Sequence, residues 1–104
     1  MNEEVCYILG VNVGRLIKRL VHHANMSLEK DNYFTDMYKV IKSDITAMME
    51  YVNESIEKGC TSYTEPEIKL LTGLDVLLET KNKEGFVETL DLLAKELESH
   101  KLLV

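Results

Sequence analysis

Apolar side chains recur at steps of three and four along most of this chain. Between residues 5 and 24 they fall at Val5, Ile8, Leu9, Val13, Leu16, Ile17, Leu20, Val21 and Ala24. That spacing puts them on one face of a helix. Arg15, Lys18, Arg19, His22 and His23 fill much of the remainder. Asn25 suits the position just beyond a helix C-terminus. The pattern predicts a first helix over about residues 3–24, followed by a connection over 25–32.

The next run is the most regular in the chain. Phe34, Met37, Tyr38, Ile41, Ile45, Met48, Val52 and Ile56 form one stripe. Phe34, Ile41 and Met48 repeat every seven residues, as do Tyr38, Ile45 and Val52. This heptad spacing is that of a helix packed along its whole length. Lys58 and Gly59 supply a cation in the last turn and a glycine beyond it. A second helix over about 33–58 follows, roughly 39 Å long at 1.5 Å per residue.

Thr64-Glu65-Pro66-Glu67 carries the capping-box pattern with proline in the first turn. Ile68, Leu71, Leu74, Leu77 and Leu78 then stripe a third helix, about 65–80. Thr80-Lys81-Asn82 is a short turn with Asn82 as cap. Phe86, Leu90, Leu93, Ala94 and Leu97 stripe a fourth helix, about 83–101. So short a turn makes these two helices an antiparallel hairpin. No segment combines strict alternation with β-branched enrichment and turn punctuation, so no strand is predicted. The expected fold is all-α: a four-helix bundle, mostly antiparallel, forming a single domain over residues 1–104.

Composition narrows the function classes. A chain of 104 residues holds one core but little room for a deep enclosed cavity. No apolar run approaches the roughly 18 residues of a membrane span. The Met-Asn-Glu-Glu start lacks the basic and apolar blocks of a signal peptide. Two cysteines are too few for a disulfide scaffold, so two free thiols in a reducing cytoplasm are expected.

Charge is uneven. The chain has 18 acidic and 12 basic side chains, a net of −6. Residues 1–30 hold four basic and three acidic groups (+1), and residues 31–104 hold eight and fifteen (−7). An acidic body repels nucleic acid and attracts basic surfaces. It also simply confers solubility.

Chemistry is sparse. Cys6, His22, His23, Cys60 and His100 are the metal-ligand types, and none forms a His-x-x-x-His, Cys-x-x-Cys or Glu-x-x-His pair. Glu50, Glu54 and Glu57, and Glu84, Glu88 and Asp91, fall at helical spacing, as on the solvated outer face of a bundle. No Ser-His-Asp set and no phosphate-cradling glycine loop occurs. No catalytic residue, metal or cofactor is expected, and the chain is not read as an enzyme.

Two surfaces are candidates for binding another protein. Cys6, Gly10 and Gly14, four apart, make a small-residue face suited to close helix approach, within the chain or across a homodimer. Met37, Tyr38, Met48, Met49 and Tyr51 give the second helix a wide apolar arc of adaptable and amphipathic side chains. The alternative is a small nucleic-acid-binding regulator using Arg15, Lys18, Arg19 and His22, either as a basic helix face or as a helix-turn-helix with Gly10 at the turn. In that overlay Arg19 falls where an apolar residue belongs. Small helical bundles serve as bacterial regulators, export chaperones, immunity proteins and phage inhibitors, an analogy of fold alone. The expectation is a non-catalytic protein-binding module, soluble and outside the membrane.

Overall fold

A computed structural model gives the structure, describing residues 2–60 and 63–99. Those residues are all-helical, with five helices and no strand. They are α1 (Asn2–Glu29), α2 (Tyr33–Asp36), α3 (Tyr38–Glu57), α4 (Glu65–Glu79) and α5 (Lys83–Ser99). α1 packs against α3 and α5, and α4 packs against α5 and α3. The apolar stripes meet in one cluster. Leu20, Ile41, Ile45, Met48, Leu74, Phe86 and Leu93 are entirely buried at its centre. Burying each such side chain contributes about 1.5–3 kcal/mol. Phe34 meets Phe86 edge-on, their ring centroids 5.2 Å apart.

Local chemistry sets most of the helix ends. The capping box forms: the Thr64 hydroxyl accepts from Glu67 N–H at 3.3 Å, and the Glu67 carboxylate accepts from Thr64 N–H at 2.7 Å. Asn82 accepts from Gly85 N–H at 2.9 Å and starts α5. Gly59 closes α3 with φ +67°. Its N–H reaches Ile56 O, and the next N–H, of Cys60, reaches Ser55 O at 2.8 Å. This pair of bonds is a Schellman closure, and it needs a left-handed residue at its centre. At the end of α4 the same pair runs from Lys81 N–H to Leu78 O and from Asn82 N–H to Leu77 O, with Lys81 as the left-handed residue.

Three expectations are corrected. First, α1 runs five residues past its expected end at 24, to Glu29. Asn25 does not close it, because Ser27 is fully buried and its hydroxyl donates to His23 O at 2.7 Å. The same unbroken helix passes through Gly10, which removes the helix-turn-helix overlay. Second, the helix expected over 33–58 is interrupted at Met37, where φ is −96° and ψ is 16°. Two anchors hold the first turn apart from α3: Phe34 on Phe86 of α5, and Tyr33 on His23 of α1. Third, the cysteines are not free thiols. Cys6 and Cys60 are joined in a disulfide that ties the start of α1 to the residue after Gly59. The tight turn at Gly59 brings Cys60 back within reach of α1. The fourth helix was expected to reach 101, and its last residues lie outside the described ones, as does the tail 100–104.

Candidate functional site

Asp44 is a charged residue on an apolar seam. It lies three residues after Ile41 and four before Met48, so helical spacing turns it inward, and only 4% of it is exposed. A buried carboxylate is costly unless donors reach it. α1 supplies them. Arg19 Nη2 lies 3.0 Å from Asp44 Oδ1, and His23 Nε2 lies 3.3 Å from Asp44 Oδ2. The other ring nitrogen of His23, Nδ1, lies 2.9 Å from the Tyr33 hydroxyl. A polar chain therefore runs from Tyr33 through His23 and Asp44 to Arg19, buried at His23 and Asp44 and open at Arg19. The Arg19 side chain is 60% exposed, so most of its N–H donors remain free for a ligand.

Those donors border a surface groove of about 380 Å³ between α1 and α3. Asn12, Arg15, Leu16 and Arg19 form its α1 wall. Ser43, Asp44, Ala47 and Tyr51 form its α3 wall. Arg15 makes no ion pair among the described residues, whereas Arg19 is held by Asp44. The groove thus offers one free guanidinium, one oriented guanidinium, polar groups and a short apolar floor. It has the chemistry to hold an anion.

A second polar cluster ties α3 to α4. The Tyr38 hydroxyl donates to Glu79, and Lys42 Nζ lies 2.6 Å from Asp75 and 3.1 Å from Glu79. The hydrogen bond to Glu79 raises the Tyr38 pKa, with burial adding to it. That same hydroxyl, and then Lys42, hold the Glu79 carboxyl below its ordinary value. Asp75 and then Glu79 raise the Lys42 pKa. Burial, and then the Glu67 charge, raise the Tyr63 pKa. Tyr38 and Glu79 also border a recess of about 320 Å³, walled by Phe34 and Leu78.

The residues singled out from sequence do not form one site. Cys6 is half-buried in the disulfide, Gly10 is half-buried and Gly14 is buried. Seven residues after Gly14 on the same face, Val21 borders a recess shared with Val87, Leu90 and Ala94 of α5. Near Gly14 the small-residue face therefore lies toward α5 and is closed to a partner, while at Cys6 it meets Cys60 beyond the end of α3. Nor is the apolar arc continuous. Met48 is wholly buried in the core. Met49 faces Ile68 and Leu71 of α4, Tyr38 reaches Glu79, and Tyr51 turns to the α1 groove. Met37 is half-buried against the core. Arg15, Lys18, Arg19 and His22 are all exposed on α1.

The groove unites Arg15, Arg19 and Tyr51, which the sequence assigned to two different surfaces. Asp44 was missed, and His23 was read with the polar face of the first helix rather than as a buried group. The readable signal was a charged residue at an apolar seam position, Asp44 on α3 and His23 three residues after Leu20 on α1. Among the described residues no three His, Cys, Asp or Glu side chains cluster to hold a metal. No helix among them is long and apolar enough to cross a membrane. No family model, curated protein or solved structure matches the chain.

Proposed function

We propose that this chain is a non-catalytic protein-binding module, a small adaptor, regulator or inhibitor acting through its helix faces. Its architecture is best read as a four-helix bundle, mostly antiparallel, with α2 as an extra turn ahead of α3. The observation that carries the reading is the open groove between α1 and α3, with mixed polar and apolar walls on two firmly packed helices. Rigid helices flanking a shallow recess suit docking of a partner segment, since little ordering entropy is lost on binding. The test fills the groove. Ser43 is exposed on its α3 wall, so Ser43→Phe should leave thermal stability unchanged. A partner retained by the wild type and lost by this variant supports the reading. Equal retention by both excludes the groove.

The alternative is a nucleic-acid-binding regulator. It draws on the joint exposure of Arg15, Lys18, Arg19 and His22 on α1. A salt-dependent mobility shift with a DNA or RNA pool, abolished by Arg15→Ala with Arg19→Ala, would favour it. Homodimer formation is a further reading. With Gly14 closed off, it draws on the exposed Tyr7 and Ile8 of α1, and light scattering tests it.

The disulfide bears on where such a module works. Disulfides persist in oxidising surroundings and are rare in a reducing cytoplasm. The cytoplasmic expectation rested on the absence of a signal-peptide pattern, with free thiols following from it, and the Cys6–Cys60 bridge favours an oxidising compartment instead.

A further inference from the structure

Both arginines of this chain, Arg15 and Arg19, line the same groove, and no lysine among the described residues does. The two residue types are not equivalent. The planar guanidinium fork matches the two oxygens of a carboxylate, whereas an ammonium is a compact point charge. Placed four residues apart on one helix, the two cations repel each other. In a chain with 18 acidic side chains, Arg15 still has no ion-pair partner among the described residues. Arg19 is aimed by a buried Asp44 and remains 60% exposed.

From this arrangement we propose that the α1/α3 groove is a carboxylate-binding subsite, in which Arg15 and Arg19 together receive one acidic group of a partner protein. The inference rests on the protein-binding reading and specifies its chemistry. Two guanidiniums against one Asp44 carboxylate leave a local charge of +1. A single carboxylate neutralises that charge. A phosphate monoester, at about −1.5 to −2 near neutral pH, overfills it. A polyanionic strand would also meet the −7 carried by residues 31–104. Leu16 and Ala47 sit beside the arginines and offer apolar contact to the stem of an acidic side chain or to a chain end.

The test follows the arginine side-chain Nε–Hε signals of the full chain by NMR. The probes are two short acetylated leucine-rich peptides. One has a central glutamate and an amidated end. The other has no acidic side chain and a free C-terminal carboxylate. The expected result is that at least one peptide moves both arginine signals. Arg15→Lys, which retains the charge at an exposed position, should weaken that peptide about tenfold with unchanged melting temperature. The responding peptide distinguishes a side-chain carboxylate from a chain end. Silence of both arginine signals at millimolar peptide overturns the proposal. So does tighter binding of inorganic phosphate, or of a single-stranded oligonucleotide, than of either peptide. A native partner that binds the wild type and Arg15→Lys equally well removes the carboxylate subsite while leaving the protein-binding reading intact.

Discussion

His23 and Asp44, from two different helices, meet inside the protein with His23 Nε2 3.3 Å from Asp44 Oδ2. Arg19 completes the contact from the solvent side at 3.0 Å. Removing the carboxylate would leave the buried His23 ring and the Arg19 guanidinium without their shared ion-pair partner. Breaking a buried pair costs about 3–5 kcal/mol, and the exposure of Arg19 lets water recover part of that. Asp44→Ala should therefore destabilise by about 2–4 kcal/mol, and Asp44→Asn, which keeps one acceptor oxygen, by less. Urea unfolding at neutral pH measures both, and equal stability of all three proteins would refute the account.

The Tyr38–Glu79 contact gives a pH window closed at both ends. The Glu79 pKa is lowered in the folded state from 4.5, chiefly by the Tyr38 hydroxyl. Its stabilisation is therefore present above that ordinary value and is lost as pH falls through the lower folded one. The Tyr38 pKa is raised from 10.0 by the same bond. Its contribution is complete below that value and is lost as pH rises through the higher folded one. A double-mutant cycle of Tyr38→Phe and Glu79→Gln should return a coupling that is flat between these limits and fades beyond each. Lys42 stays in place in all four proteins of the cycle, so its own ion pair with Glu79 largely cancels from the coupling. A coupling that does not change with pH would contradict the assigned bond.

Reduction should weaken the fold strongly. The Cys6–Cys60 bridge spans 54 residues of sequence. On the chain-entropy estimate, closing such a loop contributes about 4 kcal/mol. Cys6→Ser with Cys60→Ser should match the wild type held in reductant, and both should unfold at clearly lower denaturant. Thiol titration of the unreduced, denatured chain should find no free cysteine. Two reactive thiols under those conditions would remove the bridge.

What the sequence disclosed divides by the range of the interaction that decides it. Thr64 with Glu67, Gly59 and Asn82 act within one turn of their own position, and each does what its residue type indicates. The end of α1 depends on Ser27 being covered by other elements, which outweighs the local suggestion of Asn25. The break at Met37 likewise reflects Phe34 and Tyr33 being held by α5 and α1. The disulfide joins positions whose proximity exists only after α1 and α3 pack. The groove follows the same rule. Arg15 and Arg19 read as a basic face and Tyr51 as part of an apolar arc, and only the packing of α1 on α3 makes them neighbours. Asp44 was readable in principle, since its spacing from Ile41 and Met48 is that of a core position.

Lys81 offers the opposite kind of change, a gain in stability. It holds φ +58° at the centre of the closure between α4 and α5. A side chain in left-handed backbone costs about 1–2 kcal/mol, and glycine adopts the same conformation without that cost. Glycine also frees the unfolded chain, which offsets part of the benefit. The Lys81 ammonium is exposed and makes no ion pair among the described residues, so little is lost with it. Lys81→Gly should stabilise the protein by about 0.5–1 kcal/mol, read as a higher denaturation midpoint with an unchanged slope. Lys81→Val should do the reverse, because a β-branched residue tolerates this conformation least. If both variants unfold at the wild-type midpoint, the turn is not held by a left-handed residue at position 81.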